Sequence, residues 1–418
     1  MKPKRSFLFV TWEGGGNVPP VLGLASRLVK RGHRVRVLTE PCLKESVCAI
    51  GAEFIVFKTY FTRTDPTIDL IQDWKATPFT IPTISNIMIR PAMDVAKETQ
   101  DALRDEPTDV VVADLMMLGS LVAAEAMGIK RVVLFHMPEY LPGPGRPPGG
   151  MGLLPAPSLM GRVRDKLLTI LFYRIMNRYL PPLNRVREAF ALPLLKSVDK
   201  IYHQADIRLM QTSRAFDAPI TPAPANVRYV GPILDDPAWS DFDGTLWPER
   251  DPRPFVVVGL SSTFQNQRAT LERIIGAVST LDIRCLVTLG PAMVRETFQL
   301  PENVIALPAV PHSKVFPHAD AVVTHAGHGT VMRALAHGLP LVCLPMGRDQ
   351  IDNAALVAHH GAGLKLSPKA RPNQINKAIS RVLEDPEFTV NAQSLQTDIL
   401  QDAESDLAVS QLEHLSES

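Results

Sequence analysis

One stretch, Ala319 to Asn353 (ADAVVTHAGHGTVMRALAHGLPLVCLPMGRDQIDN), limits the folds open to this chain more than any other. It opens with a short apolar run, Ala321 to Thr324, whose pattern is that of a buried strand. The run ends at His325, Gly327 and Gly329, and a helix-patterned segment, Val331 to His337, follows. Strand, glycine-rich turn and helix N-terminus together make a phosphate cradle. Glycines let the backbone approach closely, unpaired N–H groups point outward, and the helix dipole adds partial positive charge. Thr330 can add a hydroxyl donor and His325 a ring N–H. Gly338-Leu339-Pro340 then breaks the helix, and Leu341 to Leu344 reads as a second buried strand. Pro345-Met346-Gly347 turns the chain into Arg348-Asp349-Gln350, just ahead of another helix. Ligands of open α/β sheets sit at the carboxyl ends of strands. Two adjacent strand ends therefore offer a phosphate cradle and, beside it, an acid–amide pair suited to vicinal hydroxyls.

The start of the chain has the same grammar. Ser6 to Thr11 is a buried-strand run, followed by the loop Trp12-Glu13-Gly14-Gly15-Gly16-Asn17. Pro19 and Pro20 sit where a helix begins, and Val21, Leu22, Leu24, Ala25, Leu28 and Val29 give it an apolar face. Gly32 ends that helix and Arg34 to Leu38 alternates as a strand. Further strands are expected at Glu53–Phe57, Asp109–Ala113 and Arg131–Phe135, with helices at Ala92–Arg104 and Leu118–Met127. Glu13, Asp114 and His136 each fall just past a strand end. If those strands are parallel neighbours, all three face one crevice.

Two segments lack periodicity. Lys58 to Pro91 is rich in Thr and Pro with scattered aromatics (Tyr60, Phe61, Trp74, Phe79), and long loops of this sort are usually functional. Leu141 to Pro157 is a Pro/Gly loop whose place after a strand end suggests a lid over the ligand crevice. Leu167–Tyr179 and Asn184–Phe190 read as helices with Arg and Lys outward and Leu171-Phe172-Tyr173 in the core. The second half repeats the alternation. Its strands are Phe255–Leu260, Arg284–Leu289 and Val304–Leu307, its helix is Arg268–Thr280, and hydroxyls line the loop Ser261-Ser262-Thr263.

A chain of 418 residues exceeds what one core ordinarily serves. The expectation is an α/β fold of two domains, residues 1–234 and 255–390, with a linker over 235–254 and a helix-compatible tail over 391–418. Lys+Arg 44 against Asp+Glu 43 leaves a net charge of +1, which argues against nucleic acid or acidic lipid as a partner drawn by overall charge. Cys42, Cys48, Cys285 and Cys343 are scattered without metal-ligand spacing. The opening MKPKRSFLFVTW is too short in apolar residues for a signal peptide, and no run approaches a membrane span. A cytoplasmic protein is expected, as monomer or homodimer.

The array H-A-G-x-G-T, G-L-P and D-Q-x-x-N-A resembles the C-terminal signature of family 1 nucleotide-sugar glycosyltransferases, GT-B fold, bacterial natural-product (macrolide-type) branch. The string G-N-V-P-P-x-x-x-L-A-x-x-L-x-x-R-G-H-R-V resembles the family's opening segment, so the likeness covers both ends of the chain. It implies two Rossmann-like doubly wound domains facing across a cleft, with the terminal helix returning to the first. In the family, the position of His325 contacts the donor's α-phosphate, and those of Gly327, Gly329 and Thr330 hold the diphosphate. Ser262 and Thr263 match a loop used near the diphosphate, and Asp349 and Gln350 match binders of sugar hydroxyls. Val310, His312 and Arg333 fall in the nucleoside-binding region, and Gly15, Gly16 and Asn17 in the N-terminal loop.

Three departures from that pattern stand out. The loop histidine that deprotonates the acceptor, oriented by an aspartate matching Asp114, falls near Gly15. The tryptophan that stacks on the donor base falls near Ala309, with His312 near the glutamine that follows. The glutamate that holds the ribose is replaced by Arg333. The implied activity is inverting, metal-independent transfer from a UDP- or dTDP-sugar, a co-substrate rather than a cofactor, to a hydrophobic small molecule. Glu13, Asp114 and His136 are the candidate bases, Glu13 and Asp114 ahead because they sit beside the matched motif. A non-catalytic auxiliary protein and a nucleotide-sugar epimerase on the same fold are the alternatives.

Overall fold

The apolar runs become interior strands of two parallel sheets. The structure, a computed structural model, describes residues 4–76, 81–143, 145–156, 158–217, 224–237, 240 and 251–417. Met1 to Pro3 of the opening, Phe79, Pro144, Pro157 and residues 238, 239 and 241–250 of the expected linker lie outside the described residues. In chain order the first half begins β1 (Ser6–Val10), α1 (Val18–Lys30), β2 (Arg34–Thr39), α2 (Lys44–Ala49) and β3 (Glu53–Val56). It continues with α3 (Ala92–Asp105), β4 (Val110–Asp114), α4 (Leu118–Ala126), β5 (Lys130–Phe135) and α5 (Leu159–Met176). Next come α6 (Leu180–Ala189), α7 (Lys200–His203), β6 (Ile207–Met210) and β7 (Val227–Tyr229). The strands lie in the order β3-β2-β1-β4-β5-β6-β7.

Residues Phe7–Val10 of β1 and all of β4 are buried, as expected of central parallel strands covered by helices on both faces. In β2 the alternating RVRVLT pattern would leave one face open, yet Arg36 is only 2% exposed. Its guanidinium donates to the carbonyls of Ala102 (2.8 Å) and Glu106 (3.1 Å), at the C-terminal end of α3 where the helix leaves carbonyls unpaired. Lys58 to Pro91 is not irregular throughout. Ile84–Ile89 forms a wide helical turn leading into α3. Likewise α5 starts at Leu159, well ahead of the expected Leu167, because Ser158 caps it by accepting from Gly161 N.

The second half runs β8 (Phe255–Gly259), α8 (Arg268–Val278), β9 (Arg284–Thr288), β10 (Val304–Leu307), α9 (His312–Val315) and β11 (Ala321–Thr324). Then follow α10 (His328–Ala336), β12 (Leu341–Cys343), α11 (Gln350–His359), β13 (Gly363–Lys365), α12 (Pro372–Glu384), α13 (Pro386–Glu404) and α14 (Leu407–Glu417). Its strand order is β10-β9-β8-β11-β12-β13, again parallel. In each sheet the order reverses beside the first strand, between β1 and β4 and between β8 and β11. Chains leave those neighbouring strand ends toward opposite faces and open a crevice.

Not all of 391–418 returns to the first half. Ala392, Leu395 and Ile399 of α13 belong to the core of the second half, beside α10. The chain recrosses at Ser405–Asp406, where Asp406 adopts a positive φ of 49°. Val409 and Leu412 of α14 then bury themselves with α1 and the first sheet. Arg31–Asp406 (2.8 Å) and His33–Glu413 (3.1 Å) fasten the helix there.

Candidate active site

The two crevices face one another and merge into a cleft of about 640 Å³, walled by strand ends of both halves. On the second-half side, β11 ends at Thr324 and Gly327 caps α10. The first intrahelical bond is Val331 N to Gly327 O (3.0 Å), so the amides of Gly329 and Thr330 precede the hydrogen-bonded ladder. Gly327 is required by packing. A Cβ there would sit 2.5 Å from His325 Nε2. His325 lines the cleft, and burial, with Arg348 adding to it, pushes its pKa down to about 4 despite the opposing pull of Asp349. Burial thus disfavours the charged form of this ring in the open cleft. Asn353 links the cradle to the next strand end, donating to Ala326 O (3.0 Å) and to Asp349 Oδ2 (2.8 Å).

Some residues that the sequence assigns to ligand binding have protein partners. Gln350 is 2% exposed; its Oε1 accepts from Met346 N (2.9 Å) and its Nε2 donates to Gln265 (2.9 Å). Its amide shapes the loop, leaving Asp349 as the more open member of the pair. Arg333 donates to the carbonyls of Leu234 (3.2 Å) and Asp235 (2.6 Å), so it moors the segment joining the halves. His312 stacks on Phe316 (centroids 4.3 Å apart, 15° between planes), and burial drives its pKa down to about 3. Val310, His312 and Arg333 still line the cleft, as does Ala309.

On the first-half side, the loop after β1 is braced from within. Asn17 Nδ2 donates to Asp114 Oδ2 (2.8 Å) and to Trp12 O (2.9 Å), while Asn17 Oδ1 accepts from Gly14 N (3.0 Å). Gly15 has φ +78°, and a Cβ on it would lie 2.5 Å from Ser262 Oγ across the cleft. A side chain at this position would run into the opposing half of the molecule. Glu13 is held in its own loop, accepting from Gly15 N (2.7 Å), and burial raises its pKa to about 7. Asp114 is fully buried, with Oδ1 accepting from Met116 N (2.9 Å). Above it His136 lines the cleft, its Nδ1 3.9 Å from Asp114 Oδ2 and without a hydrogen-bond partner. Of the three candidates, His136 is the one that lines the cleft, and Asp114 stands behind it.

Two residues outside the sequence-derived set also line the cleft. Arg348, in a left-handed conformation (φ 55°), pairs with Asp73 of the first half and donates to Thr263 Oγ1 (2.9 Å); its second terminal nitrogen is buried without a partner. Only the run Arg-Asp-Gln could have signalled it. His328, the variable position of H-A-G-x-G-T, reaches across to Gln211 O (3.3 Å) at the end of β6, and burial lowers its pKa to about 4. The Pro/Gly loop also crosses: Gly150 N and Gly152 N both donate to the Asp352 carboxylate on α11, the latter at 2.7 Å.

Comparison with known proteins gives these cradles a context. The family described as "Erythromycin biosynthesis protein CIII-like, C-terminal domain" matches residues 272–415. 4'-Demethylrebeccamycin synthase of Lentzea aerocolonigenes is 31% identical, covering 93% of this chain and 94% of its own. Among solved structures, the glycosyltransferase of kitacinnamycin superposes with a TM-score of 0.77 at 20% identity over 99% of this chain and 100% of that one. The glycosyltransferase VinC in complex with dTDP gives 0.69 at 19% identity, covering 99% of each. The two-sheet architecture is that of these structures, the GT-B fold.

Proposed function

Since the chain belongs to the natural-product branch of the family 1 nucleotide-sugar glycosyltransferases, we propose that it transfers the sugar of a UDP- or dTDP-sugar, with inversion and without a metal ion, to a hydroxyl of a hydrophobic small molecule. The observation that carries this reading is the placement of His136 over Asp114 on one wall of the cleft, opposite the N-terminus of α10. With Nδ1 facing Asp114, Nε2 is left to take the acceptor proton. The acceptor oxygen then bonds to the anomeric carbon as the bond from that carbon to the diphosphate oxygen breaks. The proton stays on His136, where the Asp114 carboxylate stabilises the imidazolium. Negative charge on the departing diphosphate meets the amides and dipole of α10, the His325 N–H and the Arg348 guanidinium. Asp349 is the natural partner for sugar hydroxyls.

Support for the donor comes from VinC, which shares the fold and holds dTDP. Apolar side chains on the first-half wall, Ile84, Met88, Leu141, Phe172 and Met176 among them, favour an apolar acceptor such as a polyketide, a phenol or a lipid alcohol. The test is transfer by the purified chain from UDP- and dTDP-sugars to aromatic and macrocyclic alcohols, with the anomeric configuration of the product determined. His136→Ala should lose roughly 10²–10⁴-fold in kcat with donor affinity kept. The same loss in Glu13→Gln, with His136→Ala active, would assign the base to Glu13. Loss of activity with a chelator would reject the metal-free mechanism.

A further inference from the structure

Helix α5 has two apolar faces, and only one of them is covered. Phe172, Ile175 and Met176 line the acceptor end of the cleft. Leu159, Met160, Val163, Leu167, Ile170 and Leu171 are instead 49–84% exposed. At 3.6 residues per turn, these six fall within one arc of about 120°. Leu171, which the sequence places in the core, is thus on the outside, and its neighbour Phe172 takes the inner position. Isolated exposed apolar side chains are ordinary, but a continuous stripe of them marks a contact surface.

The charges around the stripe indicate its occupant. Arg162 and Lys166 flank it on one side, with Arg174 and Arg178 near its C-terminal end. The helix's one acid, Asp165, is buried and paired with Arg164 (2.7 Å). A net charge of +1 for the whole chain conceals this local concentration. A second copy packed on the same face would set cations against cations. An anionic bilayer accepts a convex apolar stripe without needing a shaped counterpart, and it attracts the basic flanks. We propose that α5 is an interfacial helix that lies on anionic lipid, placing the wall of the acceptor end of the cleft at the lipid boundary. This docking does not depend on which reaction the cleft performs.

Vesicle sedimentation tests it with the full chain. The protein should pellet with mixed phosphatidylcholine and phosphatidylglycerol vesicles, much less with phosphatidylcholine alone, and less as salt is raised. Each basic side chain near such a surface is worth about fivefold in partitioning, so Arg162→Ser with Lys166→Ser should weaken binding roughly 25-fold. Leu167→Glu with Ile170→Glu should abolish it while the circular dichroism spectrum stays native. The proposal is overturned if the native chain ignores anionic vesicles, or if the charge variants pellet like the native chain. It is equally overturned if sedimentation velocity shows a dimer that Leu167→Glu dissociates and vesicles leave untouched, which would make the stripe a contact between copies.

Discussion

Glu13 shows what burial does to the proton affinity of a carboxyl group. Its pKa is raised from 4.5 to about 7 chiefly by burial, against the opposing Gly15 N–H and Arg63. The folded protein therefore holds this proton more tightly than the unfolded chain does. The stability linked to it is complete below about pH 4.5 and is lost as pH rises through 7. Glu13→Gln, which cannot ionise, should gain on the native protein across that window by roughly 1–3 kcal/mol. The measurement is the difference in Tm at pH 5 and pH 8; equal differences would remove burial as the cause. What was legible is local: the glycine turn between β11 and α10 follows from the run His325 to Gly329 itself. Residue roles were not legible where the partner is remote. Nothing near Gln350 in sequence announces Gln265, and nothing near Arg333 announces the carbonyls of Leu234 and Asp235.

Among the elements, the loop between β12 and α11 depends on the other half of the molecule for its shape. Gly347 and Arg348 both take positive φ, and Arg348 is held by Asp73, 275 positions away. The sequence revealed that a turn lies here, because Pro345-Met346-Gly347 breaks the strand, but not that a cation from it enters the cleft. Arg348→Gln should lower kcat/KM for the donor roughly ten- to a hundredfold, the worth of one hydrogen bond to a charged group. Asp73→Asn keeps the cation and loosens its hold, so it should raise the donor KM more than it lowers kcat. Equal, purely kcat effects in both variants would mean that the pair serves closure alone. The central strands β1, β4, β5, β8, β9 and β11 were read close to their observed bounds because their apolar runs are unbroken. The stretch after Lys58 was harder, since the Ile84–Ile89 turn has neither a strand nor a regular helix period.

The whole molecule is two similar halves stitched at several points: by Arg333 to the joining segment, by Asp73 to Arg348, by Gly150 and Gly152 to Asp352, and by α14. The duplicated plan was visible in the sequence because the same strand, loop and helix order opens the chain and recurs from Phe255. The recrossing was not, because α13 and α14 read as one polar helical tail and only the backbone at Asp406 separates them. Leu412 is fully buried against the first sheet. Leu412→Ala should cost about 2–5 kcal/mol, seen as a lower midpoint in urea, while the exposed Leu407→Ala should be nearly neutral. This seam also sets an order of events during synthesis. The strands of the first sheet leave the ribosome early, but the helix that seals its core is translated more than 170 residues after its last strand, β7. The first half must therefore wait with part of its apolar surface uncovered until the second half has been made.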